Sequence, residues 1–365
     1  MKFCPKCGSF VNKRKCPECG YDSKSFIFNS KRFILYLGTG IFVIVIIFFI
    51  IHNTTQPITQ QPNIVNNQNL NYGLVTNSTR QSLPSHDNLI QFALAKINEE
   101  RTKKGLNPVL LSNNTAAQIH AEDVLKTGVI SHWMTNGEKP YMTYSRSGGL
   151  GYVAQNVAVD GGYQYRNECN NVNTVCNKID PVKAIESGEY GMVFNDSSSN
   201  WGHRDNILDK HHTHVSLGIA YDDYTFVMVQ NFENNYINFS DPITEKNGTV
   251  QFSGTLKTGT IEQIGIYYDE LPSSVTYDQN KHVTSYSLGD SIGVVVKPLL
   301  PNEYYQQPTG YSLIVANQWI NQSGSYNISF NMSSITSKKG VYTIVVLIDD
   351  SSDKFPVTTY SIFKK

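Results

Sequence analysis

The sequence predicts a chain of several parts: a cysteine-rich knob, a membrane-spanning helix, a polar tether, a domain of helices packed on a sheet, and an all-β domain. Three observations carry this. Residues 33–51, FILYLGTGIFVIVIIFFII, contain no charge. Between residues 85 and 235, helical spacing of apolar residues gives way to strand-like alternation. After about residue 247 only short alternating runs remain, broken by Gly, Pro, Asn and Ser.

The first part, residues 1–24, holds CPKCG and, eight residues later, CPECG. Each C-x-x-C turn aims two sulfurs at one point, so Cys4, Cys7, Cys16 and Cys19 have the spacing of a closed tetrahedral zinc site. A site with four thiolates has no open position for substrate, so a zinc ribbon here is structural. At 1.5 Å per residue the apolar run makes roughly 28 Å of helix, about the thickness of a bilayer core. Lys24, Lys31 and Arg32 precede it, and no Lys or Arg follows until Arg80. The positive-inside rule then places the N-terminus in the cytoplasm and residues 52–365 outside, as a single-pass cell-membrane protein. Residues 52–84 are rich in Asn, Gln, Thr and Pro and read as a disordered tether of roughly 30 Å average reach.

Structure resumes at Ser85, a helix N-cap, before HDNLIQFALAKINEERTKKG, where Ile90, Leu94, Ile97 and Arg101 recur at helical spacing and Gly105 supplies the stop. A second helix, NTAAQIHAEDVLKT, ends at Gly128. Residues 151–159 and 214–232 read as strands, the latter a hairpin turning at a DD pair. These elements define a domain over 85–240. In an oxidising exterior Cys169 and Cys176 form a disulfide that staples an insertion. Residues 247–365 hold about seven strands and no visible helical period, which predicts an antiparallel β-sandwich of immunoglobulin-like strand count.

With 30 Lys+Arg against 30 Asp+Glu the chain has no basic field to gather nucleic acid, so a nucleic-acid partner is not expected. No Ser/His/Asp or Cys/His triad stands out, leaving the histidines as candidate chemistry. His132 follows the second helix in VISHWMTNG, and His203 lies in NWGHRDNIL. His120 sits among Ala116, Ala117, Ala121 and Val124 and reads as a packing residue. His212 and His214 share one face if extended, a candidate metal pair.

The segments INEERTKKGLNP, AAQIHAEDVLKTG, ISHWMTNGEKPYMTYS, GYVAQNVAV and GHRDNILD followed by HTHVSLGIAY resemble, in order and spacing, the CAP superfamily domain. That superfamily groups cysteine-rich secretory, antigen-five and pathogenesis-related proteins, and its domain is also called SCP-like. The resemblance implies an α-β-α sandwich outside the cytoplasm, with a cleft bearing two histidines and two acids that in some members hold zinc or another divalent ion. By motif the histidines fall on His132 and His203. The family's G-E-N falls on Ala154, Gln155 and Asn156, so a neutral amide stands where a carboxylate is expected. The second acid is Glu186 or Glu189. Two readings follow: a membrane-anchored surface protein that binds a ligand or envelope component in this cleft, or a zinc-dependent, peptidase-like hydrolase using it. The hydrolase would need Glu as ligand and base at once, or a further acid such as Asp196.

Overall fold

The computed structural model describes residues 2–3, 10–11, 84–161, 167–169, 176–306, 308–322 and 324–365. The expected zinc-ribbon cysteines, the apolar run 33–51 and the tether up to residue 83 lie outside the described residues. Among the described residues no helix is long and apolar enough to cross a membrane. Near the N-terminus two short strands, β1 (Lys2–Phe3) and β2 (Phe10–Val11), pair antiparallel.

The first domain opens with α1 (His86–Lys103), whose N-terminus is capped by the Ser85 hydroxyl accepting from the Asn88 N–H at 3.3 Å. α2 (Ala116–Thr127) ends on Gly128 at φ 65°, a left-handed conformation that glycine adopts without a Cβ penalty. α3 (Pro140–Arg146) follows. α4 (Pro181–Phe194) is capped by Asp180, whose carboxylate accepts from the N–H groups of Val182 and Lys183. The short α5 (Gly202–Ile207) follows two left-handed residues, Asn200 and Trp201.

The sheet between these helices has the order β3-β5-β6-β4, built from β3 (Leu110–Leu111), β4 (Tyr152–Gly161), β5 (His214–Tyr221) and β6 (Thr225–Asn234). β3 runs parallel to β5, and the remaining pairs are antiparallel. Strand alternation sends Val215, Leu217, Ile219, Met228 and Phe232 to a core shared with α1 and α4. It sends Val157, Ala220, Val227 and Val229 to the opposite face, against Ala117, Ala121 and Val124 of α2. Helices on both faces make the α-β-α sandwich. α2 approaches so closely that a Cβ on Gly218 would sit 2.1 Å from the Ala117 carbonyl oxygen.

The second domain begins with β7 (Ile237–Lys246), which joins the sheet β12-β13-β8-β7 with β8 (Thr249–Leu256), β12 (Gln318–Gln322) and β13 (Ser325–Asn331). The second sheet, β11-β10-β9-β14-β15, uses β9 (Thr260–Asp269), β10 (Asp290–Val296), β11 (Ser312–Val315), β14 (Gly340–Asp349) and β15 (Lys354–Lys364). Phe252, Ile328 and Phe330 from one sheet meet Ile264, Ile266, Ile344 and Val346 from the other in one core. Two expectations are corrected. The β-sandwich is not purely antiparallel, because β10 and β11 pair in parallel. A helix is present too, α6 (Ser274–Asn280), whose single buried side chain, Tyr277, gives no stripe for a periodicity to reveal.

One buried cation ties the first domain together. Arg101 of α1 is 0% exposed, and its guanidinium donates to the carbonyls of Asn107 (2.9 Å), Ile207 (2.7 Å), Asp209 (2.9 Å) and His212 (3.3 Å). Replacing it with methionine keeps the stem and leaves those carbonyls without their donor. Arg101→Met is therefore expected to lower unfolding free energy by about 3–5 kcal/mol in denaturant titration; a loss under about 1 kcal/mol would show that the clamp is not structural.

Candidate functional site

β4 is an edge strand, and its period of two decides the geometry of the site. Gln155 pairs with Asn231 and Asn156 with Gln230, so the two amides of the A-Q-N segment point to opposite faces of the sheet.

On the α2 face, Gln155 is the centre of a buried set. Its Oε1 accepts from His132 Nδ1 at 3.1 Å. Its Nε2 donates to Asn231 Oδ1 at 3.0 Å and to His120 Nδ1 at 3.2 Å, while His120 Nε2 donates to the Ser131 carbonyl at 2.9 Å. His120, expected only to pack, is thus one of the hydrogen-bonding members. Burial lowers the His120 pKa and holds that of His132 at about 4, the second helped down by the neighbouring His120 and His203. Both rings are neutral at pH 7. A carboxylate at position 155 could accept from His132 but could donate neither to Asn231 nor to His120. The amide is what this pocket requires.

On the other face, Asn156 Nδ2 donates to the His203 carbonyl (3.1 Å) and to Gln230 Oε1 (3.2 Å), and Gln230 Nε2 donates to Glu189 Oε1. Asn206 Nδ2 donates to Asn156 Oδ1 at 2.9 Å, and Asn206 Oδ1 faces His212 Nε2 at 2.9 Å. Beyond it, His212 Nδ1 lies 2.7 Å from Asn234 Oδ1, and Asn234 Nδ2 donates to the Pro356 carbonyl of the second domain. Glu189 is buried, and its Oε2 has no partner among the described residues. Desolvation raises its pKa to about 8, so it is chiefly protonated at neutral pH. Of the two candidate acids only Glu189 joins this cluster; Glu186 is exposed and pairs with Lys96 at 3.4 Å. His212 precedes β5 and bonds asparagines, whereas His214 bonds Thr213, so the expected metal pair does not form.

His203 opens α5 with Nδ1 held by Asp196 Oδ1 at 2.7 Å and Ser199 Oγ at 3.1 Å. Asp196 also accepts from the Arg204 N–H, and its pKa is lowered by its bonds to Ser199, His203 and Arg204 against the opposing effect of burial. The His203 side chain is 26% exposed, whereas His120, His132, Gln155, Asn156, Glu189 and His212 are buried. Its partner Asp196 was visible in sequence only as a spare acid, since nothing in DSSSNWGH announces a carboxylate turned back onto the ring.

These donors do not fit a tetrahedral zinc. Gln155 is neutral, and Glu189 lies on the sheet face away from His132, so no carboxylate joins that ring. Among the described residues no group of three or more His, Cys, Asp and Glu side chains is arranged to hold a metal. Cys169 and Cys176 are disulfide-bonded, as expected.

Residues 94–232 match the model of the cysteine-rich secretory protein family, CAP, which supports a CAP-like domain in this part of the chain. Among solved structures the chain is similar to the CAP domain of Enterococcal PrgA, at 13% identity and a TM-score of 0.26, covering 41% of this chain and 63% of that one. Less than two thirds of that structure is therefore spanned. Comparison with curated proteins finds no match.

Two outcomes follow from the geometry. Gln155→Glu is expected to destabilise the fold by about 2–4 kcal/mol in denaturant titration at pH 7, because two buried acceptors lose their donor and a charge is added. Unchanged stability would show that the amide is not required. His132 and His212, each held at about 4, take up protons in the unfolded chain first, so both lower stability as pH falls from about 6.5 towards 4. Glu189 has the opposite sign, because the unfolded carboxyl ionises near 4.5 while the folded one keeps its proton to about 8. Stability should therefore decline from about pH 6.5 to 8, and Glu189→Gln should remove that decline, a gain on the order of 3–5 kcal/mol at pH 8. Parallel pH profiles for the wild type and this variant would disprove the assignment.

Proposed function

We propose that this is a membrane-anchored surface protein whose CAP-like domain binds a ligand or envelope component at the β4 cleft. In this reading residues 33–51 cross the membrane, Cys4, Cys7, Cys16 and Cys19 close a structural zinc ribbon on the cytoplasmic side, and residues 52–365 lie outside. One observation carries the preference for binding over zinc hydrolysis: the centres of both polar sets around β4 are neutral amides, Gln155 and Asn156, bonded to further amides, Asn231 and Gln230. Neutral amides orient a partner by hydrogen bonds and shape; they supply neither an anionic metal shell nor a general base. His203 presents its Nε2 edge while Asp196 fixes the ring, a geometry suited to accept or donate one directed hydrogen bond.

The test is co-sedimentation of the detergent-solubilised full chain with washed cell-envelope fragments. Retention is expected for the wild type and a fall of at least ten-fold in affinity for His203→Ala. Equal retention of the two would overturn the cleft as the binding surface. Zinc content measured alongside, in a form with the four N-terminal cysteines changed to serine, should be unaffected by His132→Ala.

A further inference from the structure

The connection from α6 to β10 lies across the α2 side of the cleft. Tyr286 Oη accepts the outward-pointing N–H of Gln155 at 3.0 Å, and its ring centroid lies 5.0 Å from that of His132 and 6.3 Å from that of Tyr141. The backbone of Thr284 hydrogen-bonds the His132 ring. Lys139 Nζ donates to the Ser287 carbonyl at 2.9 Å, and Leu288 packs against the cluster containing Tyr141, Met142 and Val153. Within five residues the first domain thus contacts main chain on both sides of a tyrosine, the phenol oxygen between them, and an apolar side chain after it. No charge on the segment is read. Main chain on both sides of a phenol is what a polypeptide presents. The segment has no helix or strand of its own, and Thr284 and Ser285 are exposed.

We propose that Thr284–Leu288 is a resident, displaceable occupant of the cleft, and that the external ligand is an extended polypeptide presenting a tyrosine to the same groups. This rests on the binding reading above and names its ligand class. The occupant is joined at both ends to rigid elements, α6 and β10, so its effective concentration is on the order of millimolar, and a free peptide of ordinary micromolar affinity displaces it poorly. Affinity for such a peptide measured on the wild-type chain is therefore weakened but not abolished. The neighbouring contacts of Asp269 with Lys139 (2.8 Å) and Tyr141 (2.6 Å) hold the domains together without passing through residues 284–288, so release of the segment leaves the junction in place.

The experiment uses a fluorescein-labelled peptide of the segment's own sequence, Val-Thr-Ser-Tyr-Ser-Leu, titrated against the full chain by fluorescence anisotropy. Tyr286→Ala is expected to bind it at least ten-fold more tightly than the wild type, with Tyr286→Phe, which loses only the hydroxyl, in between. An analogue peptide with alanine for tyrosine should lose that gain. If Tyr286→Ala does not fold, Tyr286→Phe carries the test, with roughly a three-fold gain expected. Equal affinity across wild type and variants, or affinity indifferent to the peptide's tyrosine, overturns the proposal. Retention of envelope fragments through His203 with no peptide binding would sink this ligand class alone; loss of both would sink the binding reading as well.

Discussion

The CAP-like domain depends on what a single guanidinium does inside it. Arg101 reaches from the last turn of α1 and ties the carbonyl of Asn107, just before β3, to those of Ile207, Asp209 and His212, which lead from α5 into β5. Five donors on a planar fork can serve several carbonyls at once, which an ammonium cannot do with the same geometry. Desolvation works against the charge and lowers the Arg101 pKa, with nearby Asp209 offsetting part of the loss. The result is a turn held by charge-assisted bonds where no sheet or helix ladder could hold it. His203 at one end of α5 and His212 just before β5 flank that turn, so the placement of both histidines depends on a residue of α1.

A second constraint comes from the exposed margin of the sheet. β4 has β6 on one side only, and an unpaired strand margin is a standing invitation to pair with something. Here the second domain answers it. The Thr359 N–H donates to the Gly151 carbonyl, the Val153 N–H donates to Thr359 Oγ1, and the Gln155 N–H donates to Tyr286 Oη. Ser145 of α3 bonds the Thr359 carbonyl and the Ser361 N–H, and Lys139 pairs with Asp269. The β-domain is thereby hydrogen-bonded along the margin of β4. The asparagine chain from Asn156 through Asn206 and His212 to Asn234 ends on the Pro356 carbonyl, so the opposite face is joined to the same domain.

Much of this was legible where the determinants are local. Ser85 and Gly128 mark helix ends by chemistry confined to one turn, and the 214–232 hairpin follows from alternation around a short turn. The segment carrying α6 was not legible, because a seven-residue helix burying one side chain has no period to detect. The opposite orientation of Gln155 and Asn156 was available from the strand period alone. The burial of His120 was legible from its stripe of alanines, but its hydrogen-bond partners were not, because a stripe does not name the partners a buried imidazole must find. One of those partners, Gln155, lies 35 residues away and another, the Ser131 carbonyl, 11. Tyr286 is 131 residues from Gln155, beyond any local pattern.

A neutral amide at position 155 sets the physics of the polar set on the α2 face of β4. A buried Glu beside two histidines would stabilise their charged forms and make an anionic, metal-seeking centre. Gln155 divides its two ends between one ring that donates and one that accepts, and the rings settle into complementary neutral states. On the far side Glu189 is left to protonate for want of a cation. A network without net charge exerts little long-range pull on ions, and it loses heavily when any member is displaced, since each buried polar atom depends on its neighbour in a low-dielectric setting. In the proposed binding reading, such a site would discriminate by whether a partner's donors and acceptors fall in the right places, and the neutral, evenly spaced main-chain groups of a polypeptide would suit that selection.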